Sequence, residues 1–199
     1  FADEIVPRIA ALRPSVVGVS RISRSQRRPG VVLAGMLRRA LPAAPVTLGG
    51  ELISAWAGHL EDTALADVAD SVIPHEGELP LLALARGTPL EEVPNIHYRS
   101  EVDGVFRRNP TQKVASLAEV PRPDFRWAPW ELYFAPERTA PLVTARGCYW
   151  NRCTFCPEVV NPEAELRMAA TERLVADMDA LHAQDGVQMF HLVDSAIPP

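Results

Sequence analysis

Three cysteines stand close together in the run Arg146-Gly147-Cys148-Tyr149-Trp150-Asn151-Arg152-Cys153-Thr154-Phe155-Cys156-Pro157, and the chain has no others. Their spacing is Cys-x4-Cys-x2-Cys. An odd number packed this tightly suits a metal site better than a disulfide framework. Thiolates are ligands for zinc and for iron–sulfur clusters. A cubane cluster has four irons and is usually held by four cysteines. Three protein ligands would leave one iron open, and an open coordination position is what lets a metal site chelate a substrate. Zinc usually takes four ligands, and no histidine lies nearby in sequence to complete such a site. Inert thiols are the remaining alternative, although three in so short a run would be unusual.

The elements that must position this run come from the surrounding pattern. Leu142-Val143-Thr144-Ala145 reads as a strand leading directly into it. Thr171 is placed to cap a helix running through Ala183, with Leu174, Met178 and Leu181 on one face and Gly186 as the stop. Gln188 to Val193 is the next strand, with Asp194 at its carboxyl end. This is one strand–helix–strand unit with the cysteines in the loop after its first strand, where active sites form in barrels of this kind.

The first half of the chain also alternates. Ile5, Ile9 and Leu12 recur at helical spacing. Ser15 to Ser20 reads as a buried strand, Arg21 to Arg28 as a polar loop, and Val31 to Leu41 as a helix. Pro45-Val46-Thr47-Leu48 is a second strand, ending in Gly49-Gly50. A helix is expected over Ile53 to Leu60, a third strand at Asp70 to Ile73, and a helix from Leu79 to Arg86. Strands alternating with helices imply parallel pairing in a helix-covered sheet, a flavodoxin-like or Rossmann-like α/β fold. Ligands in such sheets sit beyond the carboxyl ends of the strands. Ser20, Gly49, Gly50, Glu76, Gly77 and Glu78 all fall at such ends. That convergence is what a ligand-binding edge would look like. Paired glycines are also ordinary turn residues, and the two glutamates also suit a helix start.

The middle changes character. Asn95 to Arg99 and Val105 to Arg107 flank an Asp103-Gly104 step, a hairpin signal. Prolines and tryptophans crowd the stretch from Pro110 to Pro141, which reads as an ordered connector. The expected organisation is therefore 1–92 as a first α/β domain, 93–138 as hairpin and connector, and 139–199 as the start of a second.

At the cysteines, the sequence resembles the radical S-adenosylmethionine (SAM) superfamily, whose usual motif is Cys-x3-Cys-x2-Cys with an aromatic residue before the last cysteine. Phe155 fills the aromatic place; the first spacing is longer here by one residue. The resemblance implies a 4Fe-4S cluster on Cys148, Cys153 and Cys156 whose open iron binds SAM. The cofactor is then cleaved to methionine and a 5′-deoxyadenosyl radical. It also implies SAM contacts from Phe155 and from Asp194, which could equally cap a loop. Tyr149 and Trp150 would wall the cluster or anchor its loop. Over nearly its whole length the chain resembles the architecture in which a cobalamin-binding domain, here residues 1–92, precedes a barrel of this superfamily, through the ordered phrases Val19-Ser20, Val46 to Glu51, Asp70 to Glu78 and Leu117 to Phe125. On that likeness Ser20, Gly49, Gly50 and Glu76 to Glu78 would contact cobalamin. His59, His75 and His97 are not in the family's histidine-ligand pattern and read as surface or loop residues.

These readings define the expectation. The protein is an enzyme, a fragment of a longer one, since the chain opens on Phe1 in a helical pattern and stops at Pro199 just after a strand pattern. Its first domain is an incomplete cobalamin-binding α/β domain, and its last part is the first strand–helix–strand of a partial TIM barrel. The reaction implied is cobalamin-dependent methylation of an unactivated carbon. Rearrangement, cyclisation or methylthiolation without bound cobalamin is the alternative, and a cofactor-binding sensor is an alternative of another class. Partners would be a small-molecule or peptide substrate and an external electron donor such as flavodoxin or ferredoxin. A net charge of −5 speaks against nucleic acid. No apolar run approaches the roughly 20 residues that span a bilayer. No signal-peptide pattern opens the chain, so a cytoplasmic location is expected.

Overall fold

The computed structural model describes the chain except Ile22 and residues 63–64, 157–164 and 197–199, and leaves the side chains at 62 and 66 undescribed. It divides into two units, Phe1–Lys113 and Val114–Pro199. Among the described residues no helix is long and apolar enough to cross a membrane.

The first unit is mixed α/β around one five-stranded sheet. Helix α1 (Ile5–Ala11) leads to β1 (Val17–Ser20), α2 (Arg27–Ala40), β2 (Val46–Gly49), the short helices α3 (Glu51–Ser54) and α4 (Leu65–Val68), β3 (Ser71–Val72) and α5 (Glu78–Ala85). A hairpin, β4 (His97–Arg99) and β5 (Phe106–Arg108), completes the sheet in the order β1-β2-β3-β4-β5. β1, β2 and β3 run parallel; β4 and β5 are antiparallel additions. The Asp103-Gly104 turn expected from the sequence closes that hairpin, and Gly104 takes a left-handed φ of 69°.

Both sheet faces are covered, which is why the strands are apolar with little alternation. Val17, Val46, Leu48 and Val72 turn to one face, where Ala34 and Leu37 of α2 meet them. Gly30, Ala34 and Leu37 are the buried residues of α2, and their i, i+4, i+7 spacing makes one helical stripe. Ile73, Ile96 and Tyr98 turn to the other face and pack with Leu84 of α5. Among the strand residues on that face, Thr47 and Ser71 are buried hydroxyls that bond each other at 3.0 Å, so neither is left unsatisfied.

The helix expected over Ile53 to Leu60 is broken. Trp56 N–H bonds back to Ile53 O and His59 N–H to Trp56 O, three residues each, and a 3₁₀ stretch follows over Ala57–Asp62. Gly58 inside the segment removes the helix propensity that would carry the α ladder through.

In the second unit β6 (Thr139–Leu142) pairs in parallel with β9 (Met189–Leu192), and α6 (Thr171–Asp185) packs on them through Leu181 against Ala140 and Val187. Two short strands, β7 (Ala145–Arg146) and β8 (Arg167–Met168), pair antiparallel. The first strand thus starts three residues earlier than the sequence pattern suggested. Pro141 lies within it, which an edge position allows. Ala170, not Thr171, occupies the cap position of α6, and Gly186 ends the helix in the left-handed region at φ 64° as expected.

Candidate functional site

The cysteines lie on the excursion between β7 and β8. Its base is tied three times. The two strands pair Ala145 with Met168 and Arg146 with Arg167, and Ala169 N–H bonds to Thr144 O at 2.9 Å. Gly147 then turns the chain at φ 80°, a conformation that suits glycine at the entry to Cys148. Asn151 adopts φ 41° further along. Cys156 N–H bonds to Cys153 O at 3.1 Å, so the Cys-x2-Cys step is a tight turn. Arg152 stands 5.9 Å from the Trp150 ring centroid, a cation–π contact inside the loop. Phe155, beside the last cysteine, is exposed.

All three thiols are free and half-buried. Among the described residues no three His, Cys, Asp or Glu side chains are gathered as a metal site. The residues therefore fit a thiolate-held cluster in donor type, number and loop position, while the arrangement described here leaves the three sulfurs unconverged. Bringing them onto one centre would need a rearrangement within 147–156, the usual situation where metal binding and local folding are coupled.

Asp194, at the carboxyl end of β9, has a defined job. Its carboxylate accepts hydrogen bonds from Thr144 N–H at 2.7 Å, Ala145 N–H at 2.9 Å and the Thr144 hydroxyl at 2.5 Å. It caps the bend between β6 and β7, just ahead of the cysteines. Capping a loop is one of the two roles open from sequence.

In the first unit the expected contact residues share one sheet edge. Ser20 is opposite Gly49 in the β1–β2 register, and a Cβ at Gly49 would stand 3.5 Å from Ile73 O, beside the exit of β3. Ser20 is exposed; Glu76, Gly77 and Glu78 are half-buried at the start of α5, with Gly77 at its cap position. Gly50 has a structural reason of its own. At φ 95°, a Cβ there would lie 2.6 Å from Arg21 O and 2.7 Å from Arg21 N. Its missing side chain is filled by the Arg21 backbone, which is anchored by Arg21 N–H to Gly49 O and Leu52 N–H to Arg21 O.

Four residues in this region have settings that the sequence did not show. Arg21, assigned to a polar loop, is 1% exposed, and its Nε and Nη1 are buried without a hydrogen-bond partner. Burial, and then the charge of Arg27, lower its pKa. Asn95, at φ 60° and buried, donates to Glu76 O and Gln112 O and accepts from Gln112 N–H, tying the hairpin base to the loop before α5. His97 lies in β4, not in a loop. Burial first, then Arg108 and His75, lower its pKa to about 4, so its ring is neutral at pH 7. His75 is shifted down by burial, with Glu76 opposing, and Nδ1 of both rings is buried without a partner. No signal in spacing distinguishes these residues, because each owes its setting to contacts distant in sequence.

No protein-family model matches the chain, and no curated protein is found to be similar to it.

Proposed function

We propose that the chain is part of a radical SAM enzyme in which Cys148, Cys153 and Cys156 hold a 4Fe-4S cluster, with cobalamin-dependent methylation of an unactivated carbon as the reaction class. The observation that carries the reading is the set of three free thiols in Cys-x4-Cys-x2-Cys order, on a loop whose base is clamped beside the carboxyl ends of two parallel strands. When bound, the cluster would supply the electron that cleaves SAM at its open iron, and cobalamin would supply the methyl group.

The chain's own residues divide the remaining work. The three thiolates ligate the cluster. Asp194 holds the Thr144–Ala145 bend, and so fixes where Cys148 begins. Gly147 turns the chain without a side chain in the way. Phe155, exposed next to Cys156, is available to close over the cofactor. On the first sheet, the exposed Ser20 hydroxyl and the backbone of Gly49 and of Glu76 to Glu78 would contact the corrinoid. The substrate class is a small molecule or peptide, with an external one-electron donor.

The direct test is anaerobic reconstitution of this chain with iron and sulfide. About four irons and four sulfides per chain are expected. Changing all three cysteines to alanine should abolish uptake. Iron retained by the triple variant, or none bound by the unaltered chain, would overturn the cluster. Added cobalamin retained on gel filtration supports the corrinoid part separately; its loss leaves the cluster standing and points to radical chemistry without methyl transfer.

A further inference from the structure

The first unit carries a second polar site, independent of the cysteine loop and going beyond the cluster reading. Arg21 leaves β1 and sends its side chain across the first turn of α2. A Cβ at Gly30, in that turn, would lie 2.9 Å from Arg21 Cγ and Cδ and 3.4 Å from Nε. Only glycine leaves room for the stem there. The guanidinium is thus held at the positive end of a 14-residue helix, where a cation is least favoured.

Among the described residues nothing compensates it. The first turn of α2 contains no acidic residue. Arg27 is the other charge acting on Arg21, and it is of the same sign. Arg27 is itself held in place, 4.5 Å over the Trp56 ring. Arg24 and Arg28 flank it on the surface, and among the described residues no carboxylate forms an ion pair with any of the four arginines. Buried cations are ordinarily paired. Here the donors are present and the acceptor is missing.

We propose that Arg21, Arg27 and the first turn of α2 form an anion site that takes a phosphate group. In this turn the Arg27 N–H is already bonded to Arg24 O and Pro29 has none, so what it offers phosphate is the helix dipole together with guanidinium forks that match two phosphate oxygens at once. Ser23 and Ser25, whose hydroxyls lie 2.6 Å apart, precede it at the 3₁₀ turn. The ligand is a phosphate ester.

The test is thermal unfolding of the whole chain against rising inorganic phosphate, with ionic strength held constant by potassium chloride. A saturable rise in the midpoint with phosphate, absent with chloride alone, is expected. Arg21→Gln should weaken the apparent affinity about tenfold and Arg27→Gln about threefold, while Arg39→Gln, exposed at the far end of α2, should leave it unchanged. Without phosphate, Arg21→Gln should be no less stable than the unaltered chain, since it removes an uncompensated buried charge. If that variant does not fold, Arg27→Gln against Arg39→Gln decides alone. Dimethyl phosphate in place of inorganic phosphate tells a diester ligand from a monoester; a response to either supports the site. A midpoint that follows ionic strength only, an Arg21→Gln variant with the full response, or equal losses in Arg27→Gln and Arg39→Gln would overturn it.

Discussion

At the carboxyl edge of the first sheet several residues are fixed by close contacts. Gly50 presses on Arg21, Gly30 admits its stem, and Asn95 staples the hairpin to the loop before α5. In the second unit the β7–β8 pair and Asp194 hold the base of the cysteine loop, and the cysteines beyond it stay half exposed. One edge is preorganised around a cation that lacks an anion; the other presents donors without fixing their geometry. Preorganised sites bind with little rearrangement, whereas loops of the second kind gain their structure from the ligand.

The packing difference sets the largest expected effects. Leu48 and Leu181 are both buried, but Leu48 belongs to a cluster that spans α1, α2 and three strands, while Leu181 packs with Ala140 and Val187. Leu48→Ala should cost about 3 kcal/mol and Leu181→Ala less, because the smaller cluster can relax into the space. Hydrogen exchange, read separately for the two units, measures this. Equal losses would mean that the two cores are alike. Gly50→Ala should cost about 2 kcal/mol, from its left-handed backbone and from the clash with Arg21. Gly58→Ala, at an open position in the 3₁₀ stretch, should not destabilise. Chemical unfolding of the two variants side by side makes the comparison.

On the other side of the comparison stands the clamp. Asp194→Ala removes three hydrogen bonds to one carboxylate and leaves two backbone N–H groups without that acceptor, a loss of about 2 kcal/mol local to the loop base. Cys148 should then be alkylated faster under native conditions. Asp194→Asn, which keeps one acceptor oxygen, should fall between. An unchanged alkylation rate in Asp194→Ala would show that the β7–β8 pair holds the loop by itself.

Much of the frame could be read from the chain, and the reasons are local. Val17, Val46, Leu48 and Val72 are β-branched or aliphatic residues between glycines and polar turns, so β1, β2 and β3 were legible. The hairpin was legible from Asp103-Gly104, and the end of α6 from Gly186. The start of β6 was not, because Pro141 reads as a breaker and only its edge position makes it harmless. The break near Gly58 was missed because the apolar spacing of Ile53 and Leu60 outweighed one glycine. The polar settings were the least legible. Asp194 caps a bend fifty residues away in sequence, and the buried Arg21 stem fits where Gly30 lacks a side chain. The clustering of Cys148, Cys153 and Cys156 was evident at once, since spacing within one loop needs no tertiary information, but their relative orientation does.

A pH-dependent effect tests the packed edge from inside. His97 pairs with Val72 in the sheet, and its ring meets Phe106 edge-on at 5.9 Å. Burial, Arg108 and His75 hold its pKa near 4, whereas an unfolded histidine titrates near 6.5. Above about pH 6.5 the ring is neutral in both states and contributes no pH dependence. Between the two values the unfolded chain binds a proton that the folded chain does not, so stability falls as the pH falls, and the loss levels off below about 4. His97→Phe keeps an aromatic ring and removes the titration. Unfolding free energies at several pH values across that window should therefore slope less in the variant. His75 is shifted in the same direction, so a residual slope from it is expected. An identical slope with and without the His97 imidazole would mean that its ring reaches solvent freely, and the contrast between a sealed edge and an open loop would then weaken at the sealed end.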